Sequence, residues 1–120
     1  MGERLLSEWA RLSPVILPAI KFGKLTFRQV EEKVLSMKWT LWAGERSAIL
    51  TEVWVSAFGR RMMIHYAGGD LPELLRMYEV VESAARGVGC SVILMSGLAG
   101  WKRVFRSKGF VDENLISKEL

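Results

Sequence analysis

His65 is the single histidine of the chain and stands just before the glycine pair Gly68-Gly69. An imidazole titrates near neutrality, so a histidine at a strand end can act as a general base. Glu52, within "AILTEVWV", is a second candidate base, because strand alternation sets it with Leu50 and Trp54 and apart from Ile49, Thr51, Val53 and Val55. A carboxylate among such apolar neighbours is expected to have a raised pKa. Two plainer roles stay open: a strand-end histidine hydrogen-bonded to backbone, and an edge-exposed or ion-paired glutamate.

The stretch "HYAGGDLPELL" reads as a strand that passes through a glycine turn into a helix. Free N–H groups at such a helix start can hold a phosphate, and Gly69 gives the backbone freedom to approach one. Asp70, however, stands at the cap position with Glu73 three residues on, a capping box, and Pro72 fits the first helical turn. A carboxylate there satisfies the N–H groups internally and repels a dianionic ligand. Two like charges about 4 Å apart cost on the order of 1 kcal/mol in water and several at intermediate dielectric.

These residues need a sheet and helices to place them. "ERLLSEWARL" has helical spacing, and Pro14 is expected to end or kink that helix, with "PVILPAIKFGK" following as a short helix or turn. Thr26 and Gln29 form a capping box that opens a helix over Phe27–Lys38. "WTLWA", "SAILTEVWVSAF" and "RRMMIHYA" then read as a three-strand antiparallel meander. The helix after Asp70 is expected to bury Leu71, Leu74, Leu75, Tyr78, Val81, Ala85 and Val88. "CSVILM" reads as a strand buried on both faces and parallel to its neighbour, "LAGWKRVFRSK" as a helix capped by Gly109, and "FVDENLISKEL" as the source of a final edge strand. The expected class is α/β: one domain over residues 1–120, with a helical segment over 1–25 and a mixed, mostly antiparallel central sheet with helices on both faces.

Composition narrows the function classes. Half of the 120 residues are hydrophobic and a quarter charged, as in globular chains. The net charge of +4 is mild, and outside Arg60-Arg61 and "WKRVFRSKGF" the basic residues are scattered, so nucleic-acid binding is not expected. One histidine and one cysteine cannot build a usual zinc site, so no metal is expected. Cys90 alone forms no internal disulfide, and no apolar run is long enough to span a bilayer. A soluble cytoplasmic protein without membrane attachment is the expectation. Five tryptophans point to core packing or a protein interface.

The element order from Thr26 to Leu120, with "KRVFRSKGF" near the end, resembles the GNAT (Gcn5-related N-acetyltransferase) superfamily. That family's fold has a first strand that this chain lacks in clear form. The resemblance implies acetyl-coenzyme A as cofactor, its pyrophosphate held by the amides of Ala67, Gly68, Gly69, Asp70 and Leu71. It also implies His65 or Glu52 as base, a strand Glu serving so in some acetyltransferases. Phe105 stands where the family often has a tyrosine general acid, so Tyr66, Tyr78 or a water would have to replace it, Tyr66 being the candidate in an active enzyme. In the pyrophosphate pattern His65 takes the first place, Gly68 the middle glycine and Asp70 the last. With both motifs eroded, the first expectation is a protein-binding or structural module, as in eroded members found among phage virion and morphogenesis proteins, which makes a virion the other expected location. The alternative is an active N-acetyltransferase with a divergent pyrophosphate loop.

Overall fold

The computed structural model describes residues 2–21, 23–95, 109, 111–112 and 116–120. Among them it has helices α1 (Glu3–Ile20), α2 (Phe27–Leu35) and α3 (Leu71–Gly87). The strands are β1 (Thr40–Ala43), β2 (Ala48–Ser56), β3 (Gly59–Gly68), β4 (Cys90–Met95), β5 (Val111–Asp112) and β6 (Ile116–Glu119). They form one mixed sheet in the order β1-β2-β3-β4-β6-β5, in which only β3 and β4 run parallel. The meander and the parallel pair are as the sequence predicts. The closing segment differs, since β6 lies inside the sheet between β4 and β5, and β5 is the edge.

Helix α1 runs through both Pro14 and Pro18, against the expected break. Each proline removes an intrahelical bond to the carbonyl four residues earlier, at Ala10 and Pro14, and all of these positions are exposed. Water can therefore serve the freed carbonyls. A proline inside a helix costs about 3 kcal/mol. The opposite face buries Trp9, Leu12, Ile16 and Ile20, each contributing about 1.5–3 kcal/mol, so tertiary packing carries the helix through. Trp9 also donates Nε1–H to Glu31 of α2 at 2.9 Å.

The Thr26–Gln29 capping box forms as expected. Helix α2 stops at Leu35 rather than Lys38, because Met37 takes a left-handed conformation (φ +65°) and the Trp39 amide donates back to the Lys33 carbonyl at 3.0 Å. That turn sends the Trp39 side chain into the core.

Two cores flank the sheet. Ile49, Met62, Ile64, Cys90, Ile93 and Met95 pack under α3 through Leu74, Tyr78, Val81 and Ala85. Leu71 and Val88, expected on that buried face, are exposed at the two ends of the helix. On the other side Ala48, Leu50, Trp39 and half-buried Tyr66 pack under α1 and α2. In β4 only Cys90, Ile93 and Met95 are buried, with Val92 and Leu94 half-buried and Ser91 exposed, so the strand is less enclosed than expected. Glu82 of α3 binds Lys118 of β6 at 2.7 Å and Tyr78 at 2.7 Å, which ties helix to sheet. The expected helix "LAGWKRVFRSK", with Phe105 and Trp101, lies outside the described residues.

Candidate functional site

The sheet brings Glu52 and His65 together. Between β2 and β3 the pairing steps from Leu50↔Tyr66 to Thr51↔Ile64, so His65 is the extra residue of a β-bulge. The bulge upsets alternation: Ile64 and Ala67 join the core under α3, while His65 and Tyr66 both turn toward the side of α1 and α2. His65 Nε2 then lies 2.9 Å from Glu52 Oε1. The same oxygen accepts Trp54 Nε1–H at 2.8 Å. The imidazole stacks on buried Trp39, with centroids 3.9 Å apart and planes at 12°, and meets the edge of Trp54 at 6.1 Å. Lys33 lies over Trp39 and Arg61 over Trp54, at 5.7 and 5.9 Å.

Burial pushes the pKa of Glu52 up, but hydrogen bonds from His65, Trp54 and Trp39 and the charge of His65 outweigh it, so the group lies below its ordinary value. This corrects the expected raised pKa, which counted the apolar neighbours and not the indole and imidazole N–H donors among them. His65 is also lowered, because burial outweighs its attraction to Glu52 and Lys33 adds repulsion. A neutral imidazole beside a carboxylate must carry its proton on Nε2, which donates to Glu52 and leaves Nδ1 as an acceptor. That is the arrangement of a base and the group that orients it.

Tyr66 does not join the pair through its hydroxyl, which is bonded to the backbone of Leu25. A side chain on Gly23 would strike that hydroxyl, so the 23–25 turn sits directly on the phenol ring. Half-burial pushes the phenol above its ordinary pKa.

The glycine turn lies at the end of the same strand, with Gly68 half-buried against α1 and Gly69 and Asp70 exposed. Ala67 and Gly68 are strand residues paired with Ile49 and Ala48. A Cβ on Gly68 would approach the Val15 carbonyl of α1 to 2.7 Å, and one on Gly69 (φ +122°) would approach Arg46 O and Ser47 Oγ to 2.5 Å. The Asp70 amide donates to Ser47 Oγ at 2.9 Å. Asp70 Oδ2 accepts from the Glu73 amide at 3.1 Å, and Pro72, just before Glu73, has no N–H to offer.

Glu73 does not complete the expected capping box with Asp70. Its carboxylate crosses to the turn between β1 and β2, where it accepts the amides of Glu45 and Arg46, both at 2.9 Å. The Ser47 hydroxyl, these amides and Arg76 hold the Glu73 pKa below its ordinary value despite slight desolvation. On the other side of the turn Arg11 of α1 donates to the carbonyls of Glu45 and Gly44 at 2.6 and 2.9 Å. The residues the sequence left unsuspected here are Ser47 and Arg11, whose partners lie 23 and 33–34 positions away.

Among the described residues no group of three or more His, Cys, Asp or Glu side chains could hold a metal ion, and no helix is long and apolar enough to cross a membrane. Compared with known proteins, the sequence matches no family model and no curated protein.

Proposed function

We propose that the chain is a binding module on an acetyltransferase-like α/β scaffold, with a protein as its partner and no use for coenzyme A. One observation carries this reading: two of the amides at the exposed start of α3 are taken by the protein's own groups. The Asp70 amide is taken by Ser47, the Glu73 amide by Asp70, and the glycines press against α1 and the β1–β2 turn. A pyrophosphate would have to displace these bonds and sit beside the Asp70 carboxylate. The residues at Ala67–Leu71 therefore do not fit that group. A virion or morphogenetic complex is one setting for such a module, on the strength of the resemblance alone.

Calorimetric titration with acetyl-coenzyme A tests the reading. It predicts no saturable heat, and tight binding would end it.

The Glu52–His65 pair favours a second reading, an N-acetyltransferase with a divergent loop. A neutral imidazole oriented by a carboxylate is suited to take a proton from an amine at Nδ1. Thiol release from acetyl-coenzyme A with a panel of amines, lost in His65→Gln, would support it. No release, with or without Asp70→Gly, would exclude it.

A further inference from the structure

A groove of about 290 Å³ runs along α2, lined by Leu25, Gln29, Glu32, Lys33, Ser36 and Lys38. Gln29, Glu32, Lys33 and Ser36 have the i, i+3, i+4, i+7 spacing of one helix face, and Lys38 joins them past the turn at Met37. Two of its walls meet the β3 bulge. The Leu25 backbone is bonded to the Tyr66 hydroxyl, and Lys33 lies 5.7 Å over Trp39, the ring on which His65 stacks. The backbone acceptors at this end of α2 are already used. The carbonyls of Glu32 and Val34 accept the amides of Ser36 and Met37, and that of Lys33 accepts both the Trp39 amide and the Ser36 hydroxyl. Gln29 Oε1 is taken by the Thr26 amide, which leaves its side-chain N–H groups to donate. Among the described residues neither Lys33 nor Lys38 has a carboxylate within ion-pair distance. The groove therefore offers two ammonium groups and an amide donor against a single carboxylate, that of Glu32.

We propose that this groove binds a small carboxylic acid in its anionic form, the carboxylate shared by Lys33 and Lys38 and a short apolar part set against Leu25. The volume is at the low end for small-molecule sites, which limits the ligand to a few heavy atoms. A monoanion fits better than a phosphate dianion, because Glu32 stands in the same wall and no arginine fork lines it. The site lies apart from the start of α3 and holds whether or not coenzyme A binds. Lys33 links it to His65. The charge of Lys33 on α2 repels a proton from the imidazole while that of Glu52 on β2 attracts one, and Arg61 of β3 lies beyond, over Trp54. A carboxylate on Lys33 offsets that repulsion, so the ligand and the His65 proton each bind more tightly in the presence of the other, by the same factor.

The single histidine gives one imidazole signal to follow by NMR. In the full chain at constant ionic strength, saturation with butyrate is expected to raise the proton affinity of His65 by about twofold or more. Lys33→Gln is expected to raise that affinity without ligand and to abolish the butyrate effect. Lys38→Gln, an exposed substitution, is expected to weaken butyrate and to leave the ligand-free titration of His65 in place. Glu32→Gln is expected to tighten butyrate, and inorganic phosphate to bind more weakly than butyrate. No saturable change at His65 or the α2 amides, butyrate binding untouched by Lys38→Gln, or phosphate bound as tightly as butyrate would overturn the proposal.

Discussion

His65 Nε2 and Glu52 Oε1 lie 2.9 Å apart, with the imidazole stacked on Trp39 and the carboxylate bonded to Trp54. Two residues from separate strands thus form one pair that prefers a neutral ring beside an ionised acid, since both pKa values lie below their ordinary positions.

The pair makes stability depend on pH in a stated direction. Below pH 6.5 the unfolded histidine protonates while the folded one resists, so the unfolded state binds more protons and stability falls as pH falls. Glu52 adds a second decline below pH 4.5 for the same reason. Thermal midpoints measured from pH 8 downward, roughly the neutral range of histidine titration, are expected to start dropping near pH 6.5. His65→Gln is expected to flatten that first decline and leave the second, less marked without its imidazole donor. A midpoint that rises on acidification through pH 6 would contradict the assignment, since histidine titrates at about 6.5 when free.

Asp70 caps α3 through a single bond to the Glu73 amide. Asp70→Ala is expected to cost about 1 kcal/mol, a drop of about 4 °C in the thermal midpoint for a chain of this size. Asp70→Asn keeps an accepting oxygen and is expected to lose far less. Equal losses in both variants would mean that the charge, and not the cap, stabilises the helix start.

Glu73 holds the β1–β2 turn by two backbone amides 27 and 28 residues away. In Glu73→Ala the amides of Glu45 and Arg46 are expected to exchange hydrogen faster while those of β3 keep their protection. Unchanged exchange at these two amides would place the carboxylate elsewhere in solution.

Two glycines separate strain from crowding. Gly59 (φ +118°) has open space where a Cβ would go, so Gly59→Ala is expected to cost backbone strain alone, on the order of 1–3 kcal/mol. Gly69 (φ +122°) would add contact with Arg46 and Ser47, so Gly69→Ala is expected to cost clearly more. Urea midpoints of the two variants give the comparison, and equal costs would show that the β1–β2 turn yields freely.

Much of this was legible from residue types. Alternation along β2 places Glu52 with Leu50 and Trp54 as observed, and the Thr26–Gln29 box marks the start of α2. Asp70 reads correctly as a cap because capping is local, three residues long. Glu73 does not, since its carboxylate finds stronger donors in a turn that adjoins it only after the sheet forms. The prolines of α1 mislead because propensity is weighed without the buried face of Trp9, Leu12, Ile16 and Ile20. The turn at Met37 carries no glycine to announce it. The bulge at His65 has no sequence mark either, yet it is what sets Tyr66 on the same face as His65 and Glu52.

The most direct test of the closed helix start is to watch its amides. In a two-dimensional ¹⁵N–¹H spectrum the Asp70 and Glu73 signals are expected to show slow hydrogen exchange and to stay in place as acetyl-coenzyme A is added. Saturable shifts at these two amides and at Gly69 would mean that the loop opens to a pyrophosphate, and would contradict the account.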